Sequence, residues 1–195
     1  MFILYAVPLG LLLGVLAGGR VAGLSTIRFR WAGVALVALA VQAVLFSGAF
    51  DASIGWIGAI VYVASTGAVL VAVVRNLAIP GLAIVALGAA SNLAAILANG
   101  GYMPADPAAL RAAGASAEPV GFSNSVVTQT PALRPLTDVF AIPDGWAFAN
   151  VFSVGDVLIG LGVAVTIALA MRRRPSDAAV EVPDGAAVRA GNSPD

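Results

Sequence analysis

The sequence contains no cysteine and no histidine. Without cysteine there is no disulfide, no thiolate nucleophile and no cysteine-bound metal. Without histidine the commonest general base and the commonest metal ligand are missing. Lysine is absent too, so all 10 basic residues are arginine, and they balance 10 Asp and Glu to a net charge of zero. No basic patch is large enough to suggest nucleic acid. Charged residues make up only 10% of the chain, against about 25% in a soluble domain. No metal site and no cofactor is expected from this residue set.

What is present is apolar. Hydrophobic residues make up 60% of the 195 positions, and the mean hydropathy is +0.98. This composition points to an all-α, polytopic membrane helix bundle. Its Ala, Gly, Val and Arg bias suggests a GC-rich bacterial genome, hence a bacterial cytoplasmic (inner) membrane. The bilayer is its first partner.

A bilayer core about 30 Å thick takes about 20 helical residues. Five runs approach that length: 2–18, 31–50, 54–74, 77–98 and 151–171. No basic n-region precedes the first, so it reads as a retained helix rather than a signal peptide. Pro8 is placed to kink it, whereas Pro80 opens the fourth run, where proline is cheap. Arg20, Arg28 and Arg30 follow the first run, Arg75 the third, and Arg172, Arg173 and Arg174 the fifth. The positive-inside rule then puts these connections in the cytoplasm. The N-terminus and the long connection 99–150 lie outside, and the C-terminus lies in the cytoplasm. Residues 1–174 form the five-helix domain, with outer loop 99–150, and 175–195 read as a disordered cytoplasmic tail. No internal repeat is evident, which speaks against an inverted-repeat transporter.

A loop as long as 99–150 is often functional. Residues 107–115 suggest a short helix, with Asp106 as N-cap ahead of Pro107. Tyr102, Trp146 and Phe148 fit an aromatic belt at the outer interface.

Polar residues inside the runs are few. Gln42, Asn92, Asn99 and Asp156 all fall toward the outer side, and Ser65 and Thr66 near the middle of the third run. They read either as the lining of a polar cavity under the loop or as interhelical hydrogen bonds. Asn99, Gly100 and Gly101 end the fourth run. They serve either as a left-handed helix cap or as a place where backbone approaches a helix or ligand closely. Gly10, Gly14 and Gly18 are spaced for close helix packing.

Asp156 is the only carboxylate within the runs, placed about one and a half turns into the fifth. A charge there costs roughly 2.5–3.5 kcal/mol on insertion scales, so it needs a partner or a role. It can accept backbone N–H groups at a helix start, where the dipole favours negative charge. Alternatively it pairs with a second carboxylate, Asp138 or less readily Asp144, whose proximity would split the two pKa values into an acid and a base.

Three segments together, Asn99–Pro104, Leu136-Thr137-Asp138 and Val151–Ile159, resemble a bacterial membrane family called domain of unknown function 5317. The resemblance runs from Met1 to about Arg174 and implies a multipass membrane protein with no assigned activity. A second resemblance concerns Phe152-Ser153-Val154-Gly155-Asp156-Val157-Leu158-Ile159. It is similar to the last motif of lipoprotein signal peptidase, Phe-Asn-x-Ala-Asp-x-x-Ile. That family cleaves prolipoproteins with two membrane-embedded aspartates, and Asp156 matches the second. Phe122–Val127 resembles its Gly-Asn-x-x-Asp-Arg motif, but Val127 stands at the first catalytic aspartate, no Arg follows, and Ser153 replaces the motif Asn. Asp138 resembles a further aspartate of that family.

Three readings follow. The first is a non-enzymatic binding or scaffold protein that meets a lipid, a lipoprotein or a protein at its outer face, through Asn99, Gly100, Gly101, Asn92 and Gln42. The second is an aspartate-dependent intramembrane hydrolase using Asp156 and Asp138. The third is a small transporter component.

Overall fold

The computed structural model describes residues 2–47, 49–50, 54–115, 125–128 and 130–173. The tail expected over 175–195 lies outside them. The described chain is mostly helical. Its long helices are α1 (Ala6–Leu16), α2 (Ala32–Leu45), α3 (Gly55–Val74), α4 (Leu82–Ala98) and α6 (Val154–Ala170), with a short α5 (Pro107–Ala112) between the last two. Two segments, Gly55–Val74 and Val154–Met171, are long and apolar enough to cross a membrane, and α1, α2 and α4 are shorter apolar helices.

The helices depart from the apolar runs at their ends, for local reasons. The first run splits into a 3-10 turn, Phe2–Tyr5, and α1. Pro8 is the third residue of α1, where its missing N–H costs no helical bond, so the expected kink has no cause. The second run stops at Leu45, five residues early, in a turn through Phe46 and Ser47. The fourth begins only at Leu82, because residues 77–81 turn and Gly81 sits at φ +93° as the residue before the helix. The fifth begins at Val154, because its first residues pair as a strand.

The described chain is mostly helical, and short strands add to the expected all-α reading. The segment between α4 and α6 holds four strands: β1 (Met103–Ala105), β2 (Ser125–Val127), β3 (Phe140–Ile142) and β4 (Asn150–Phe152). β1 pairs in parallel with β2, β3 pairs antiparallel with β4, and Ala105 bridges to Asp138. As expected, Asp106 caps α5, accepting the N–H groups of Ala108 and Ala109. Ala109, Leu110 and Ala113 pack with Ala105 and Val151 into a small apolar core. The segment is thus a folded cap.

The long helices pack in a row, in the order α1, α6, α4, α3, α2. α1 runs parallel to α6, since Gly10 meets Ala164 and Gly14 meets Met171. Gly14 and Gly10 are buried there, whereas Gly18 has no close neighbour and Gly19 packs on Met171 instead. α4 runs antiparallel to α6, with Gly81 at Thr166 and Gly88 at Ile159. α3 meets α4 through Tyr62, Ala95 and Ile96 near the cap, and through Val73, Leu82 and Val85 at the far end.

The end away from the cap carries Arg20, Arg30, Arg75, Arg172 and Arg173, while Arg111 and Arg134 lie in the cap. Arg20 N–H donates to Met171 O at 2.7 Å, tying the end of α1 to the end of α6. Asn76 is 3% exposed and clasps the backbone of Arg30. Its Oδ1 accepts Arg30 N–H at 2.7 Å and its Nδ2 donates to Arg30 O at 2.7 Å.

Candidate functional site

The site is built where the cap feeds into α6. β4 ends at Phe152, and Ser153 follows in an extended conformation as the N-cap of α6. Its Oγ accepts Asp156 N–H at 3.1 Å, and Asp156 Oδ2 accepts Ser153 N–H at 3.0 Å. This is a capping box, which satisfies two orphan donors reciprocally. Asp156 is therefore the third residue of α6, in its first turn, not one and a half turns in. There the helix dipole favours its negative charge.

α4 supplies the other half. Asn92 Nδ2 donates to Asp156 Oδ1 at 2.9 Å, and Ser153 Oγ donates to Asn92 Oδ1 at 2.8 Å. Both Asp156 oxygens are thus engaged by protein donors, and Ser153 is fully buried. The approach needs Gly155, because a Cβ there would fall on the Asn92 carboxamide oxygen. Asp156 is half-buried, and this many donors offset the cost of taking its carboxylate out of water.

Asp138 lies close by and is treated differently. Its backbone belongs to the cap: its N–H donates to Pro104 O at 3.0 Å and its O accepts Asp106 N–H at 2.9 Å. Its side chain is 7% exposed. Among the described residues no hydrogen bond reaches its carboxyl. Burial first, and then the Asp156 carboxylate, push it up to about 7. The two carboxylates that sequence reasoning paired are in fact within electrostatic reach. Asp156 has donors on both oxygens, whereas the Asp138 carboxyl has none among the described residues.

Asp144 does not join them. It accepts Gly145 N–H at 2.9 Å and packs against Gly114 beyond the end of α5. The remaining candidates separate into two further clusters. Gln42 Nε2 donates to Ser65 Oγ at 3.1 Å and Thr66 Oγ1 at 3.2 Å, joining α2 to α3. Asn99 ends α4 and pins the cap: its Nδ2 donates to Ala132 O and its Oδ1 accepts Ala132 N–H, each at 2.9 Å. Gly100 and Gly101 have φ of +73° and +92°. Gly101 also rests directly on Ala59 of α3, so the helix cap and the close approach are one feature.

A polar cavity of about 260 Å³ opens in the cap between Asp106, Thr128, Arg134 and Thr137. Arg134 pairs with Asp106 across it at 3.4 Å. The Ala108 and Ala109 N–H groups, and then Arg134, hold Asp106 below the usual carboxylate range. Neither Asp138 nor Asp156 lines this cavity. Val127, at the position of the first catalytic aspartate of the peptidase motif, belongs to β2 and pairs with Ala105. Phe122 to Asn124 lie outside the described residues. Among the described residues no three His, Cys, Asp or Glu side chains gather to hold a metal.

Three structural residues escaped sequence reasoning. Ser153 was detectable, since Ser-x-x-Asp ahead of an apolar run is a capping-box signature. Asn76 and Thr166, whose hydroxyl bonds Pro80 O at 2.9 Å, have partners far away in sequence and leave no local signal.

Searches among curated proteins and among solved structures find no match. Residues 26–168 match a family model, Family of unknown function (DUF5317). The match spans most of the chain, including α2, α3, α4, the cap and most of α6. The chain belongs to this family.

Proposed function

We propose that the chain is a non-enzymatic integral membrane protein with five spans, α1, α2, α3, α4 and α6, and a folded cap on the outer face. Residues 1–174 act as one unit, and 175–195 form a cytoplasmic tail. The observation that carries the non-enzymatic reading is the saturation of Asp156: a carboxylate held by Ser153 N–H and Asn92 Nδ2 is a structural lock, not a poised base. Arg20, Arg30, Arg75, Arg172 and Arg173 flank the helix ends away from the cap, which supports a cytoplasmic assignment for that end. At the cap rim, Trp146 and Phe148 are exposed. Tyr5 donates to Ala147 O and stacks edge-on against Phe148. Such a rim suits the outer interface of a bilayer, and the cap surface around it is where a lipid, a lipoprotein or a protein partner is expected.

The absence of cysteine makes the topology directly testable. Gly145→Cys and Arg173→Cys each place one thiol in the chain. A membrane-impermeant maleimide should label position 145 in intact cells, and position 173 only after permeabilisation. The reverse pattern, or release of the protein by alkaline carbonate, sinks the proposal.

A hydrolase remains the second reading, and one observation favours it. Asp138, raised to about 7 by burial and by Asp156, is half of the split pair that shared-proton chemistry requires. It predicts that Asp138→Asn and Asp156→Asn each abolish cleavage of a lipid-anchored peptide. No cleavage by the wild-type chain removes it. A transporter has less support, because Asp156 is the one carboxylate within these helices.

A further inference from the structure

α2 lies at the edge of the row and leans on α3. The two do not close on each other. A groove of about 510 Å³ runs between them, lined by Gly33, Val37 and Val41 on α2 and by Val61, Ala64 and Ala68 on α3. The polar groups near it are already satisfied, since Ser65 Oγ donates to Tyr62 O and accepts from Gln42. The groove therefore offers an almost purely apolar wall.

Its end away from the cap is not apolar. On α3 the lining positions 61, 64 and 68 continue along the same helical stripe to Arg75, seven residues past Ala68. On α2 the lining begins at Gly33, two residues after Trp31. The Arg75 guanidinium stands over the Trp31 ring, 4.5 Å from its centroid, a cation–π arrangement. Trp31 holds φ +63° in the left-handed region, a strained conformation for a non-glycine residue. Asn76 fixes the neighbouring Arg30 backbone from both sides. The joint is therefore held in place by named bonds, with the Arg75 guanidinium at the end of the groove and the Arg30 backbone fixed beside Trp31.

Among the described residues neither Arg30 nor Arg75 has an acidic partner. The acidic residues among the described ones are Asp106, Asp138, Asp144 and Asp156, and all four lie in the cap or at the cap end of α6. Two arginines at the end of an apolar slot, with no acidic partner among the described residues, are complementary to one kind of molecule. It needs a phosphate with net negative charge joined to a long acyl chain.

We propose that this groove binds an anionic phospholipid of the leaflet on the arginine side, its phosphate against Arg30 and Arg75 and one acyl chain between α2 and α3. The proposal rests on the membrane reading above. A second copy of this chain, or a zwitterionic lipid, is an alternative occupant that the experiment separates.

The test uses the full chain, purified in neutral detergent, with bound lipid read by native mass spectrometry. Alkaline carbonate extraction is done first. Release of the protein at that step fails the membrane reading itself, before the lipid site is addressed. Phosphatidylglycerol should be retained in preference to phosphatidylcholine. Inorganic phosphate alone should neither bind nor raise the melting temperature. Arg75→Gln and Arg30→Gln should each weaken phosphatidylglycerol retention by about tenfold, the loss of one charge-assisted contact. Val37→Phe, which fills the groove from an exposed position, should weaken retention to a similar degree, with Ala64→Phe as a second filling variant. Arg111→Gln, on α5 in the cap, should change nothing. Equal retention of both lipids overturns the proposal. So does retention that survives both filling variants, or a dimer that those variants dissociate.

Discussion

The seam between α4 and α6 and the seam between α2 and α3 are built from the same residue types and end differently. At α4/α6, Gly88, Gly155 and Gly162 bring the backbones into direct contact, and Asn92, Ser153 and Asp156 interlock at the cap end. At α2/α3, Gln42 reaches Ser65 and Thr66, yet Gly33 and Gly67 have no near neighbours and a groove stays open. Leu36 and Val37 of α2 remain 66% and 65% exposed. Small residues therefore do not by themselves close a helix pair. At α4/α6 glycine contact and the polar cluster occur together, whereas at α2/α3 the polar bonds form without glycine contact and the groove stays open.

The comparison can be broken most severely at Gly155. Gly155→Leu drives a side chain into Asn92 and the α4 backbone, and overpacking of this kind costs about 3 kcal/mol or more. Loss of the folded state on a detergent melting curve is the expected result. The equivalent substitution at Gly67 on α3 should be tolerated, because nothing lies near it.

The next effect is a pH dependence. The Asp138 carboxyl is raised from 3.8 to about 7, so between those values the folded state holds a proton that the unfolded state has lost. Stability is therefore fully present below about pH 4, falls as pH rises to about 7, and is flat above. At about 1.4 kcal/mol per unit, the loss amounts to a few kcal/mol. Asp138→Asn should abolish the slope and leave the protein more stable than wild type at pH 8. Melting temperatures across that range check it.

Asn92→Leu removes the donor to Asp156 Oδ1 and the acceptor for Ser153 Oγ. Asp156 then loses one donor, and Ser153 Oγ keeps only Asp156 Oδ2, at 3.1 Å, as acceptor, a loss of about 1–3 kcal/mol. Gln42→Leu should cost the least, about 1 kcal/mol, because its two interhelical hydrogen bonds, to Ser65 and Thr66, each contribute little in an apolar setting. If the two substitutions cost the same in denaturant or thermal unfolding, the distinction between a locked and an open seam fails.

Much of this was legible in the sequence, for reasons that differ by region. The five apolar runs locate all the long helices, because hydrophobic content alone marks them. Asp106 with Pro107, and Ser153 with Asp156, are local cap signals and can be read residue by residue. The strands were not legible. Each has three residues, too few to show an alternating pattern, and β1 is buried at all three positions. The helix ends were displaced where tertiary pairing overrode hydropathy, as at Val151 and Phe152, which open the fifth apolar run but pair with β3. Among the site candidates, Asp156 and Asn92 stood out as polar groups in apolar runs. That they bond each other while Gln42 bonds elsewhere depends on the order of helices in the row, which no local pattern encodes.

On this reading Asp156 locks α6 to α4. A double-mutant cycle on Asn92→Leu and Asp156→Leu, measured by unfolding of the full chain, tests it most directly. Groups that bond each other give a coupling of about 0.5–3 kcal/mol, and the lock predicts a value in that range. Additive losses, with a coupling near zero, would contradict it and free Asp156 for chemistry with Asp138.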